Sequence, residues 1–536
     1  MQEHEAEGSR GVVVAESELV AAAGGEILDA GGNAFDAAAA ASIACSMVHP
    51  DKCGVGGYLL TGVAVDGATS RAWSIDSNSR APAAAHENMY DVGPASADGK
   101  GLNANEYDCC VADDANVFGP LAVGVPGQLA GIGTMQERWG QLDWSTVVQP
   151  SLDLLSDGIP FGEALSHSVH MLEPVIRRNP ATAAHLMPDD VVPAPDSVWH
   201  RPDMERTLQR LATAGWRDFY DGEIAGAMVD SLQAGGGILT RQDLASFHPR
   251  ITEPYAGRYR DADVLGAILP NGPISVLQAL NMLDCFDAVD TDDPIWWHRM
   301  AEVLKRVWRD RLTHLADPDY ADVPLERLLN PEYARGLVEE MLHFPHAVDT
   351  RPFAAGGVVP ETSHVSTADS DGNVVSVTIT QGAGFGSAFT VPGWGIILGH
   401  GMCRLDPRPG LANSVAAGKR PLNNVMTMVL RTPTRDIALG MPGGRRIISI
   451  GPQLVARLID ASATCAQAAL APRMHITGAE PMELEDAAPD ELASKLTDMG
   501  HTVTRLPRAG GHAAGAVFDK STGTVSGGGG GVAVGR

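Results

Sequence analysis

Thr362 is the residue in this chain whose setting could do chemistry. It opens an alternating run, Thr362-Ser363-His364-Val365-Ser366-Thr367, directly after Pro360-Glu361. Asp371-Gly372 is a turn signal, and a second alternating run follows, Val374-Val375-Ser376-Val377-Thr378-Ile379-Thr380. Two short strands about an Asp-Gly turn make a hairpin, with Thr362 at the start of its first strand. A threonine hydroxyl is a weak nucleophile unless a base sits beside it. Cleavage of the Glu361–Thr362 bond would make Thr362 an N-terminus, and its own α-amine could then accept the hydroxyl proton. An α-amino group titrates near ~7.7–8.0, so a fair fraction is free base at neutral pH. The hairpin alone does not separate such a nucleophile from an ordinary strand threonine.

Motifs elsewhere in the chain bear on that choice. Residues 362–373 read Thr-Ser-His-x-Ser-x-x-Asp-x-x-Gly-Asn. Further segments are Gly31-Gly32-Asn33-Ala34-Phe35-Asp36-Ala37-Ala38, Gly54-Val55-Gly56-Gly57, Val123-Gly124-Val125-Pro126-Gly127, Lys419-Arg420-Pro421-Leu422 and Gly440-Met441-Pro442-Gly443-Gly444. Together, and in this order, they resemble the γ-glutamyltranspeptidase family of N-terminal-nucleophile (Ntn) hydrolases over nearly the whole chain. The resemblance implies an α+β fold, the Ntn-hydrolase αββα sandwich with two antiparallel sheets between helical layers. It implies self-cleavage into a large piece, residues 1–361, and a small piece, residues 362–536, that stay together as a heterodimer in one compact fold. It assigns Thr362 as nucleophile and Thr380 as its hydrogen-bonding partner in processing. Gly443 and Gly444 match the pair whose N–H groups form the oxyanion hole, where preorganised donors lower an acyl-transfer barrier by several kcal/mol. Ser363 is the runner-up nucleophile, expected on the opposite face of the strand.

The substrate pocket departs from the family pattern. The family binds the α-carboxylate of a γ-glutamyl group with an Arg in Asp-x-Arg-Glu-x-Ala-Pro; here Asp76-Ser77-Asn78-Ser79-Arg80-Ala81-Pro82 puts Asn78 in that place, with Arg80 two residues on. The family's Ser-Ser pair after Lys-Arg-Pro-Leu is Asn423-Asn424. The aspartate that pairs with the α-amine aligns with Arg404, with Asp406 nearby. An ammonium beside Arg404 is repelled, by several kcal/mol if the site is partly buried. Arg404 and Arg80 could instead meet a carboxylate placed differently.

The elements that must position these groups are legible in outline. Residues 12–15, 58–65 and 72–75 read as strands, and 18–30 and 36–47 as helices, the first ending at Gly31-Gly32. Gly54 to Gly57 lacks the Lys-Ser/Thr of a phosphate loop and the G-x-G-x-x-G spacing, so it reads as close backbone packing. Residues 85–117 are polar and irregular, and Cys109-Cys110 falls there as an incidental pair. Helices are expected over 128–139, 144–156, 203–214, 222–234, 274–286 and 294–310, making residues 140–340 mainly helical. Trp297, Ala301, Leu304 and Trp308 share one stripe of the last of these, and Trp308 reads as core. Strands dominate again from Thr362, and residues 527–531 read as a flexible turn or tail.

Composition narrows the class. The 536 residues are 44% hydrophobic and 20% charged, as in soluble globular proteins, with a formal net charge of −27. That charge argues against a nucleic-acid partner. Seven cysteines, odd in number and without metal-ligand spacing, read as reduced cytosolic thiols. The acidic start, Met1 to Glu7, is not a signal peptide, and the Ala-rich stretch at 37–48 is too short to span a membrane, so a cytoplasmic protein is expected. There is no zinc motif, and the chemistry needs no cofactor or metal.

Two classes of function follow. One is a self-processing hydrolase or acyltransferase acting on a small molecule through an acyl-enzyme on Thr362. Its substrate readings are a keto acid cleaved at a carbon–carbon bond, as in family members of specialised-metabolite pathways to 4-substituted prolines; a side-chain amide, as in cephalosporin acylases; or glutathione, as in true γ-glutamyltransferases. The keto acid is the reading favoured here. The other class is an unprocessed relative that binds a ligand or partner without turning it over.

Overall fold

The computed structural model describes residues 4–94, 107, 109–343 and 362–536. Seven strands of the two main sheets lie before residue 343: β1 (His4–Gly8), β2 (Gly11–Ala15), β3 (Leu59–Asp66), β4 (Arg71–Asn78), β5 (Arg250–Thr252), β6 (Tyr255–Tyr259) and β7 (Ala262–Gly266). Seven more follow: β8 (Ser363–Asp369), β9 (Val374–Thr380), β10 (Thr427–Arg431), β11 (Arg435–Gly440), β12 (Ala514–Asp519), β13 (Val525–Gly529) and β14 (Val532–Gly535). One sheet runs β14-β2-β8-β9-β3-β4-β5 and the other β1-β13-β12-β11-β10-β7-β6. Every neighbouring pair in both is antiparallel. Each sheet takes strands from both sides of the 344–361 segment.

Side chains alternate across a strand, and that alternation builds the layers. Val13 faces the helices α1 (Glu18–Asp29) and α2 (Ala34–Val48), in a core with Leu60, Val375, Val377 and Ile379. Its neighbours Val12 and Val14 face the second sheet, packing with Val63, Val65, Ala368, Val429, Ala438 and Ala516. On the far side, Met428, Leu430, Ile437 and Leu439 meet α3 (Pro273–Leu283), α4 (Pro294–His314) and α5 (Arg446–Ile459). Three apolar layers thus separate helices, sheet, sheet and helices: the αββα sandwich of an Ntn hydrolase, as expected. Trp308, on α4, is buried in the outer core.

Local chemistry explains the elements nearest Thr362. α2 is buried on every side, which its alanine methyls permit by letting neighbours approach closely. Asn33 and Asp36 form its capping box. Asp369, at the end of β8, accepts from Ala34 N at 2.7 Å and from Asn373 N at 3.0 Å, tying the hairpin turn to that helix. Gly31 ends α1 at φ +90°, a conformation suited to glycine. The Gly54-to-Gly57 loop is close packing: a Cβ on Gly57 would lie 2.2 Å from Gln128 Oε1 and one on Gly56 2.6 Å from Ile397 O.

Three expectations are corrected. Residues 527–531 are not a tail, because Val525–Gly529 is an interior strand. Its glycines give room to the facing sheet, since a Cβ on Gly527 would stand 2.6 Å from a Val14 methyl. The mainly helical middle also carries β5, β6 and β7, short strands at or near sheet edges where little periodicity can accumulate. Cys109 and Cys110 belong to a short strand, Cys109–Val111, paired with Val92–Pro94. Among the described residues no helix is long and apolar enough to cross a membrane, and all seven cysteines are free thiols.

Candidate active site

The β8–β9 register pairs Ser363 with Ile379, so one step further along it Thr362 faces Thr380. Both are buried, and Thr362 Oγ1 donates to Thr380 Oγ1 at 3.3 Å. Thr380 Oγ1 also accepts from Gly382 N at 2.8 Å, which fixes the acceptor. The register continues from Thr380 to Leu59 on β3 and from Leu59 to Asn78 on β4. Thr362, Thr380, Leu59 and Asn78 therefore form one row, all facing the second sheet. With strands ~4.8 Å apart, the row from Thr362 to Asn78 spans about 14 Å.

Behind Thr362 the same face is polar. His364 Nδ1 bonds Thr378 Oγ1 at 2.7 Å and its Nε2 bonds Ser366 Oγ at 2.9 Å. Ser376 Oγ donates to Leu439 O at 3.0 Å in the opposite sheet. Burial pushes the His364 imidazole down to about 3, so the ring is neutral and fully engaged. It also joins the two sheets: a Cβ on Gly440 would lie 2.2 Å from its Cε1. Three residues past Gly440 come Gly443 (φ +146°) and Gly444 (φ +58°), in the turn that enters α5. Gly443 packs on Gly510, whose Cα is 3.1 Å from where a Cβ would be, so only glycine fits this approach. The Gly443–Gly444 turn thus leads from Gly440, which packs on His364 two residues from Thr362, into the N-terminus of α5.

The pocket residues are placed as follows. Asn78 Nδ2 donates to Pro421 O at 2.8 Å. Asn423 Nδ2 donates to Asn271 Oδ1 at 2.8 Å, and Asn424 Oδ1 accepts from Arg311 Nη2 at 2.7 Å, so both amides brace the segment leading into β10. Arg404 ends the short turn Gly401–Arg404, and its Nη2 donates to Gly382 O at 2.5 Å, one residue pair from Thr380. Arg80 lies elsewhere: its Nη2 donates to Ser246 O at 3.1 Å and its guanidinium stacks 5.1 Å from the Phe247 ring centre. Burial, then the nearby Arg420, lowers its pKa. Asp406 is taken up by Arg408, at 2.7 Å. Glu361 lies outside the described residues.

Sequence reasoning missed the charged groups beneath Thr362. Ser363 points away from Thr362 and donates to Glu16 Oε2 at 2.9 Å, while Glu16 Oε1 pairs with Lys52. Burial pushes the Glu16 carboxyl up, but Lys52, then His49, and the hydrogen bonds from Lys52 and Ser363 outweigh it and hold the group below its usual value. A charge directly after the buried run Val12–Ala15, and another between Pro50 and Gly54, were the available signals. His400 was also missed; its ring lies against Gly382, and burial, then Arg404, brings it down to about 3. Glu302, Glu480 and His501 cluster elsewhere, but Lys305 Nζ sits between the two carboxylates, at 2.6 and 2.7 Å.

Comparisons with known proteins accord with this geometry. The family model described as Gamma-glutamyltranspeptidase matches residues 20–530. The chain is 34% identical over 515 residues to the Acylase ACY 1 proenzyme of Pseudomonas sp. (strain SE83), covering 94% of this chain and 89% of that one. It is 30% identical over 541 residues to the Glutathione hydrolase proenzyme of Bacillus subtilis (strain 168), covering 97% and 90%. Among solved structures, the cephalosporin acylase from Bacillus halodurans superposes with a TM-score of 0.86 at 24% identity, over 100% of this chain and 97% of that one.

Proposed function

As a chain that belongs to the γ-glutamyltranspeptidase family and is a hydrolase of the Ntn type, we propose that it activates itself by cleavage at Glu361–Thr362 and then acts as an acylase on donors other than γ-glutamyl compounds. The observation that carries this reading is the buried Thr362–Thr380 hydroxyl pair, with His364 two residues on packed against Gly440, which leads into the Gly443–Gly444 turn. In the first step Thr362 Oγ1 attacks the carbonyl carbon of residue 361, the peptide nitrogen takes a proton, and an ester replaces the amide. That step already frees the Thr362 α-amine; water then hydrolyses the ester, releasing the carboxylate of residue 361 and restoring the Oγ1 hydroxyl. In turnover the amine takes the hydroxyl proton as Oγ1 attacks the donor, then gives it to the leaving group. Water releases the acyl group from the enzyme.

The donor follows from Arg404. An ammonium ~4 Å from a guanidinium meets about 4 kcal/mol of repulsion at an effective dielectric of ~20. A carboxylate in the same place gains a similar attraction. The favoured donor therefore carries a carboxylate where glutathione carries its amine. A keto acid answers this description, with hydrolysis of the carbon–carbon bond next to the carbonyl, as in pathways to 4-substituted prolines. A dicarboxylic side-chain amide answers it equally, and the acylase relatives favour that second reading. Denaturing gels of the wild-type protein should show pieces 1–361 and 362–536. Mass spectrometry of the smaller piece, after exposure to glutathione, a glutaryl amide or a β-diketo acid, should find an added acyl mass with the carboxylated donors. An uncut chain with full turnover would overturn the reading.

A further inference from the structure

We propose that the Glu16–Lys52 pair is a positioning device for Thr362: it anchors the cut strand from the side opposite the nucleophile and balances the charge around the freed α-amine. Three contacts carry this. Ser363, next to Thr362, is held by its Oγ to Glu16 Oε2 at 2.9 Å. Glu16 follows β2, the strand that pairs with β8, and its other oxygen holds Lys52. Lys52 O in turn accepts from Gln381 N at 2.8 Å, directly after Thr380. One ion pair thus ties together the start of β8 and the end of β9, the two points that set the Thr362–Thr380 contact.

Such a pair needs a reason beyond stability. Buried ion pairs are weak stabilisers, and apolar groups of similar volume often replace them without loss. Here both side chains are only slightly exposed, 13% for Glu16 and 17% for Lys52. Neither belongs to the motifs that carry the catalytic residues. The other titratable or charged groups around this end are His49 and Asp51 before Lys52, Cys53 after it, His364 on β8, His400 and Arg404 across Gly382, and His512, whose loop lies beside Gly530. His364 is neutral and Arg404 keeps its charge, so Glu16 and Lys52 are the two opposite charges whose removal changes the field at residue 362 in opposite senses.

This inference rests on Thr362 being the nucleophile. The test is the pH dependence of kcat/KM for the cut enzyme, whose acid limb reports the α-amine of the free enzyme. Lys52→Met leaves a lone carboxylate, favours the ammonium, and should move the acid limb up by about one pH unit. Glu16→Gln leaves a lone ammonium and should move it down by about the same amount. The double variant Glu16→Leu, Lys52→Met should bring the limb back close to wild type while slowing self-cleavage, because Ser363 Oγ has lost its acceptor. Limbs that do not move, or that move in the same direction, overturn the proposal. If a single variant does not accumulate folded, the double variant carries the test, and self-cleavage at the wild-type rate overturns it. A wild-type chain that is never cut would instead defeat the assignment of Thr362.

Discussion

The residues proposed for catalysis and those proposed for recognition are held by different means. Thr362 and Thr380 stand opposite each other in an antiparallel ladder, so their distance is set by the register of two interior strands. His364, Thr378, Ser366 and Ser376 continue the same polar face with side-chain hydrogen bonds. Of the residues proposed for recognition, Asn78 ends β4 in the same ladder, but Arg404 ends a one-turn helix and Asn423 and Asn424 lie in the segment before β10. A residue in the ladder cannot shift without moving its neighbours, whereas a loop residue can change charge with the fold intact. Under the proposed function, this difference is what would let one fold keep Thr362 in place while the charge at Arg404 changes what it admits.

Thr362→Ala bears hardest on the comparison. It should abolish cleavage at 361–362 and lower turnover by about 10³-fold or more, while the chain stays folded. Cleavage and turnover that survive would show that the ladder does not hold the reacting group. Arg404→Asp comes next. Restoring an acid should lower kcat/KM for carboxylated donors by at least about 100-fold and raise it for γ-glutamyl donors, since loss of an attraction of about 3–4 kcal/mol alone corresponds to about 10²–10³-fold. Cleavage at 361–362 should proceed unchanged. If both donors respond alike, or cleavage fails too, the two halves are not separable. Thr380→Val keeps the shape but leaves Thr362 Oγ1 and Gly382 N without their acceptor. A lost partner at about 1–3 kcal/mol predicts self-cleavage slowed by about 10- to 100-fold, read from the time course of the gel.

The ladder half is also the half that the sequence disclosed. Thr362 to Thr380 alternates about Asp371-Gly372, and period-two patterning with a turn dipeptide is local information. The layer order needed more, yet Val12, Val13 and Val14 already alternate between sheet-facing and helix-facing sides. What stayed hidden depends on chain segments far apart. Residues 527–531 read as a tail because their glycines make sense only against Val14, over 500 residues earlier. The Glu16–Lys52–Ser363 contact joins three separate segments, and no spacing announces it. Arg80 looked like a substitute for the family's arginine because it lies two residues from Asn78; its contacts with Ser246 and Phe247 come from a distant turn.

The smallest expected effect uses acid. Asn78, Asn423, Asn424 and Arg404 do not change charge between pH 5 and 8, but the catalytic half holds His364 neutral, at about 3 against ~6.5 in an unfolded chain. As pH falls through ~6.5 the unfolded chain binds a proton that the folded chain refuses. The stability His364 contributes is therefore complete above that pH and is lost progressively as pH falls toward the folded value. Between pH 7.5 and 5.5 the loss comes to about 1.4 kcal/mol for this one group. Urea unfolding in the uncut Thr362→Ala background can isolate it, because that chain stays in one piece. His364→Gln keeps hydrogen-bonding capacity without a titrating proton, and every other histidine is the same in both proteins. The gap in stability between the two should narrow by about 1.4 kcal/mol on going from pH 7.5 to 5.5. A gap that stays constant would mean that the imidazole takes up its proton over the same pH range in the folded chain as in the unfolded one. His364 would then add a positive charge beside Thr362, and the ladder half would no longer differ from Arg404 in the charge it presents.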